Sequence, residues 1–100
     1  MTTRLVFESL EQFEDLLENK DYDLATSFVD SMISNITSDE ELIPVIEAYF
    51  EEEDTIYDFE VEKTNFIPNL KEFITIYERE EDYEGCLVIS NAIKTLEGLA

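Results

Sequence analysis

The sequence has no histidine and no tryptophan, and among its 100 positions only one cysteine, two glycines, two prolines and six basic residues. Each shortage excludes a class of function. Without histidine there is no imidazole base, no Ser-His-Asp or Cys-His arrangement, and no imidazole-ligated zinc or iron. The lone thiol, Cys86, can form neither an intramolecular disulfide nor a thiolate metal site, which fits a reducing compartment. It lies in an apolar stripe, as a small core residue does. With only Gly85 and Gly98, no glycine loop can cradle a phosphate. Six Lys and Arg are too few to grip a nucleic-acid backbone or an anionic membrane, so neither is expected as a direct partner.

Long apolar runs are also missing. None approaches the roughly 18 residues that mark a membrane-spanning helix, and the opening Met-Thr-Thr-Arg-Leu-Val-Phe-Glu does not have the form of a signal peptide. A cytoplasmic location is the expectation. The carboxylates do not make up for the missing chemistry. Asp21 with Asp23, or Asp39 with Glu40 and Glu41, lacks the alternating donors, glycine turn and closing Glu of a calcium loop. Paired acids for glycoside hydrolysis need a cleft with aromatic walls and one desolvated carboxyl. The expected protein is not an enzyme and carries no cofactor and no metal.

Acid and apolar residues dominate what is there. Twenty-six Asp and Glu give a formal net charge of -20, while 44% of residues are hydrophobic, including seven Phe and five Tyr. Disordered acidic chains lack such aromatics, so this one is expected to fold, as a single domain over residues 1–100. Ser9 with Gln12 three residues on forms a capping box ahead of Leu10, Phe13, Leu16 and Leu17, and that helix ends near Asn19 and Lys20. A second helix, from about Asp21 to Asn35, carries Tyr22, Ala25, Phe28, Val29, Met32, Ile33 and Ile36 at three- and four-residue steps. Ser38 with Glu41 opens a third, complicated by Pro44. Leu42, Ile43, Val45, Ile46, Tyr49 and Phe50 are apolar on more than one side, which places this short helix centrally.

After Glu51-Glu52-Glu53-Asp54 the period changes. Tyr57 to Glu62 alternates apolar and acidic residues, as a short strand pairing with Arg4–Phe7 does, or an extended linker pinned by its aromatics. Asn65 and Pro68 mark the next helix start, with Leu70, Phe73, Ile74 and Tyr77 as its face. The last helix is expected from about Glu81 to Leu96, with Tyr83, Cys86, Leu87, Ile89, Ile93 and Leu96 inward and Gly98 as a stop. The expected class is mainly α: about five short helices in two hairpins around a central helix, with a minor two-stranded β element.

The hairpins repeat a pattern. Leu10-x-x-Phe13 leads to Asp21-Tyr22-Asp23-x-Ala25, and Leu70-x-x-Phe73 leads, with one insertion, to Asp82-Tyr83-Glu84-x-Cys86. Duplication and convergence both produce such a pattern. Through Tyr83-Glu84, Cys86, Leu87, Asn91, Ile93 and Leu96 the second hairpin resembles the short motif of UVR-type helical hairpins, protein-docking modules of nucleotide-excision repair and protease adaptors. Where that motif has an Arg-Asp pair this chain has Ser90-Asn91. The resemblance implies protein–protein contact and does not extend to family membership.

The acids gather in three clusters: Glu8, Glu11, Glu14, Asp15 and Glu18; Glu51, Glu52, Glu53 and Asp54 with Asp58, Glu60 and Glu62; and Glu78, Glu80, Glu81, Asp82 and Glu84. Glu11, Glu14, Asp15 and Glu18 share one helix face, where like charges repel by a few tenths of a kcal/mol per pair. An acidic proteome, simple solubility or a dedicated binding surface would each account for the charge. The leading expectation is an acidic module that occupies the basic, nucleic-acid-binding surface of a partner protein, by analogy of composition and size with the small acidic inhibitors of phages and mobile elements. The alternative is an adaptor that binds through a hydrophobic groove between helices, with Tyr49, Tyr57 and Phe59 as its exposed aromatics.

Overall fold

A computed structural model describes residues 3–99. The elements run β1 (Thr3–Phe7), α1 (Leu10–Glu18), α2 (Tyr22–Ser34), β2 (Leu42–Phe50), β3 (Thr55–Glu62), a 3-10 turn (Lys63–Asn65), α3 (Phe66–Arg79) and α4 (Tyr83–Leu99). The three strands form one sheet in the order β1-β2-β3, parallel between β1 and β2 and antiparallel between β2 and β3. The fold is therefore α+β, which corrects the mainly-α, all-helical expectation.

The correction lies in one segment. Leu42–Phe50, expected as the central helix, is the central strand. Its apolar residues fall out of a single period because the bulge shifts the alternation by one: Ile43 and Val45 before it and Ile46, Ala48 and Phe50 after it are buried, while Leu42 and Pro44 are exposed. The β-branched Ile43, Val45 and Ile46 favour the strand. Pro44 is tolerated because the register shifts between Pro44 and Ile46, and because β1 pairs with β2 only from Ile46 onward among the described residues. Tyr57 to Glu62 belongs to a full strand, β3, and Arg4–Phe7 pairs with β2 rather than with it. Ser38 to Glu41 caps no helix. The Glu41 carbonyl instead accepts from the Lys63 N–H at 2.7 Å, extending the β2–β3 ladder.

All four helices lie on one face of the sheet. Residues opposed across the strands share a face, so Phe7, Ile46, Ala48, Phe50, Phe59 and Val61 point toward the helices while Arg4, Val6, Glu47, Tyr49, Ile56 and Asp58 point away. Phe13 of α1 joins the inner face through edge contacts with Phe7 and Phe50 at 4.9 and 5.6 Å, and lies 5.0 Å from Phe59. A parallel pair needs a crossover, and the α1–α2 hairpin supplies it. Buried Ser31 of α2 ties the helix layer to the bulge by donating to the Val45 carbonyl at 2.6 Å.

The helix boundaries follow their caps. The Ser9 hydroxyl accepts from the Gln12 N–H at 3.1 Å, and the Gln12 side chain accepts from the Glu8 N–H at 2.7 Å. Two helix pairs, α1–α2 and α3–α4, are present, but the element between them is a strand pair, so the expected pair of hairpins around a central helix does not form. At the N-terminal end of α4, Tyr83 and Leu87 are 65% and 62% exposed, not inward; Ile89, Ala92, Ile93 and Leu96 form the buried stripe. Gly98 lies within α4 and stops nothing.

Candidate functional site

The carboxylates of α1 have an internal cause for their placement. Phe13 is buried against the sheet, so Glu11, Glu14, Asp15 and Glu18 are turned to solvent by the helical period. Both ends of α1 abut another acidic cluster. At its start, the Glu53 carboxylate accepts from the Leu10 N–H at 3.2 and 3.3 Å, capping α1 from the β2–β3 turn. That turn, Glu51 to Asp54, closes with Asp54 N–H to Glu51 carbonyl at 3.2 Å and is held by the Tyr49 hydroxyl donating to Asp54 at 2.7 Å. The same bond pushes the Tyr49 ionisation up.

At its end, α1 meets the α3–α4 turn. The Arg79 guanidinium donates to the Asn19 and Lys20 carbonyls at 3.3 and 2.7 Å, so a cation supplied by α3 satisfies the C-cap carbonyl of α1 and the one after it. Beside it the Tyr22 hydroxyl donates to the Asp82 carboxylate, which also accepts from the Gly85 N–H at 2.9 Å. The Tyr22 and Tyr77 rings meet edge-on at 5.3 Å. The bond to Asp82 pushes the Tyr22 ionisation up to about 12, and the hydrogen bonds from Tyr22 and Gly85 hold Asp82 below the usual carboxylate value.

The repeat read from sequence is a repeat of turn geometry. After α1, Lys20 N–H bonds to Leu17 carbonyl and Asp21 N–H to Leu16 carbonyl; after α3, Glu81 N–H bonds to Glu78 carbonyl and Asp82 N–H to Tyr77 carbonyl. Both are Schellman closures, with Lys20 and Glu81 in the left-handed region at φ 53° and 58°. Asp21 then caps α2 through the Leu24 N–H as Asp82 does through the Gly85 N–H.

The three expected clusters are thus partly brought together. Exposed carboxylates therefore follow one another along the backbone as a band: Glu51 and Glu52 in the turn at the start of α1, those of α1 itself, and Glu78, Glu80, Glu81 and Glu84 in and around the turn at its end. The helix alone contributes about 14 Å of its length. Asp58 and Glu60 are not in the band, since they lie on the open face of the sheet. Glu53, Asp54 and Asp82 are engaged in capping and hydrogen bonding. Cations do little to neutralise the band: among the described residues the ion pairs are Arg4–Glu47, on the open sheet face, and Arg79–Glu80 at 3.2 Å. Lys63 is used elsewhere, donating to the Asn35 and Ser38 carbonyls at 3.3 and 2.6 Å.

Sequence reasoning missed Arg79 and the groove that opens beside α1 between α2 and α3. Arg79 carries no local signal, because its partners lie about sixty positions away. The paired Leu16-Leu17 and the aromatics Phe28 and Phe73 were visible as stripes but not as two walls of one space. Tyr49, Tyr57 and Phe59, the aromatics of the adaptor reading, do not line that groove. No group of three or more Cys, Asp or Glu side chains is placed to hold a metal ion, and no helix is long and apolar enough to cross a membrane, among the described residues. No family model, no curated protein and no solved structure matches the chain.

Proposed function

We propose that this chain is an acidic protein-binding module that occupies a basic, nucleic-acid-binding surface of a partner, in the manner of a small nucleic-acid mimic. The observation that carries the reading is the joining of α1 to both acidic turns, through Glu53 at its start and Arg79 at its end. The bonded turns hold the backbone that carries these carboxylates in a constant relation to α1. A formal charge of -20 steers basic partners toward such a band and speeds encounter, while the match of pattern supplies selectivity.

The mechanism is competition: the band covers Lys and Arg side chains that would otherwise hold phosphate. It needs neither catalysis nor a cofactor. The test is recovery of partners from native host lysate at low and high salt, followed by affinity measurement on whatever is captured. Affinity falling steeply with salt supports the reading. Binding that is unchanged between about 50 and 500 mM salt overturns it, since exposed charges are screened over that range.

A further inference from the structure

Protein interiors are close-packed, yet an open groove of about 500 Å³ separates the end of α1 from α3, with α2 as its floor. Its lining is mainly apolar. Buried Leu24 lies at the bottom, Phe28 and Phe73 stack at 6.2 Å along the side, and Leu17, 47% exposed, stands at the mouth. This is the size and character of a recognition pocket: an apolar space with few polar groups at its edge.

We propose that the groove receives a large apolar side chain, Leu, Phe or Trp, presented by a basic helical segment of the protein that docks on the carboxylate band. The basic character rests on the functional reading above; the apolar anchor rests on the groove alone. Charge decides between occupants. The polar residues of the lining include Asp21, whose carboxylate also caps α2, and exposed Glu72, against the single ammonium of Lys20. Leu17 has Glu14 one helical turn before it and Glu18 beside it, so the groove opens directly onto the band. A second copy of this chain is a poor occupant. Its six cations, Arg4, Lys20, Lys63, Lys71, Arg79 and Lys94, are scattered with no two adjacent, and its net charge of -20 repels its like. A basic amphipathic helix satisfies both the rim and the interior, as helix-in-groove recognition does.

The test uses two synthetic helical peptides of equal charge: one of Lys and Arg with Leu and Phe at helical spacing, the other with Ser at the apolar positions. The full chain is titrated with each, read by fluorescence anisotropy and by backbone amide shifts. The apolar peptide is expected to bind at least about tenfold tighter, the increment for burying one large side chain, with shifts at Leu24, Phe28 and Phe73. That increment is expected to disappear in Thr75→Trp, which fills the groove from an exposed rim position, and to shrink in Leu17→Ser. Circular dichroism confirms that both variants fold. Equal binding of the two peptides overturns the groove and leaves the band standing, as does an increment that survives Thr75→Trp. An increment present without salt dependence keeps the groove and overturns the band. Uptake of a neutral apolar dye with no peptide increment overturns the proposal in favour of a small-ligand pocket.

Discussion

The Tyr22 hydroxyl donates to the Asp82 carboxylate across sixty positions of sequence, joining the turn of the first helical hairpin to the turn of the second. Arg79 makes the same junction from the other direction by donating to the Asn19 and Lys20 carbonyls. The two hairpins are therefore held at their tips as well as through the core. The junction also fixes where the α3–α4 carboxylates stand relative to α1.

Tyr22→Phe and Asp82→Ala are each expected to lower stability, and in the double variant the losses do not add, because each single change already removes the shared bond. The pH dependence follows from the shifts. The lowered Asp82 value contributes stability above its ordinary 3.8, and that contribution is lost as pH falls through the folded-state value below it. The raised Tyr22 value contributes stability below the ordinary 10.0, lost as pH rises toward about 12. Tyrosinate absorbance during an alkaline titration should show late-ionising phenols, of which the one lost in Tyr22→Phe moves back toward 10.0 in Asp82→Asn while Tyr49 and Tyr77 stay late. Additive losses in the double variant, or late phenols all unmoved by Asp82→Asn, would sink this account.

Gly85 is required by close approach. A Cβ there would stand 2.4 Å from Tyr77 Cδ2 and 2.6 Å from the Asp82 carboxylate, while one at Gly98 would meet nothing within 4 Å. Gly85→Ala should therefore cost about 1–3 kcal/mol, as overpacking does. Gly98→Ala should be neutral or stabilise by up to about 1 kcal/mol, from helix propensity alone. Urea unfolding of the pair decides it, and a stabilised Gly85→Ala contradicts the contact.

The two Schellman closures place Lys20 and Glu81 where glycine is the usual residue. Left-handed backbone costs an ordinary L-residue about 1–2 kcal/mol, partly offset in glycine by its greater unfolded-state entropy. Lys20→Gly and Glu81→Gly are each expected to gain about 0.5–1 kcal/mol, measured by thermal or urea unfolding. A loss at both positions would mean that these side chains contribute contacts beyond their backbone role.

These turns also mark what the sequence makes legible. The Ser9 cap, the start of the second helix at about Asp21, the apolar face of Phe66–Arg79 and the repeated pattern of helix, acidic turn and helix can be read because each is set by neighbours within a few residues. Leu42–Phe50 cannot be read by period, because the bulge breaks the alternation of its buried residues between Val45 and Ile46. Its nature follows from pairing with Thr3–Phe7 and Thr55–Glu62, partners that local pattern does not name. The first turn of α4 misled for a related reason. Its helical stripe is real, but the close approach of Gly85 to Tyr77 puts contact with α3 at the glycine, and Tyr83 and Leu87 are left outside. The acidic clusters were legible as clusters. Their joining was not, because Glu53 and Arg79 act across the fold.

Stability and binding should respond oppositely along α1, which separates a binding face from mere solubility. Glu11 with Asp15 and Glu14 with Glu18 are four apart, Glu11 with Glu14 and Asp15 with Glu18 three apart, and no ion pair relieves them among the described residues. Replacing Glu14 by Lys turns two repulsions into attractions, with Glu11 and Glu18, each worth a few tenths of a kcal/mol. The variant should therefore melt higher than the parent. If the carboxylates are there to meet a basic surface, the same change removes two units of negative charge from the centre of the band, and affinity for the captured partner should fall while stability rises. If they serve only solubility, stability rises and binding is unchanged. Measuring the melting temperature and the partner affinity of Glu14→Lys on one preparation tells the two apart, and unchanged affinity in a more stable protein would remove α1 from the proposed interface.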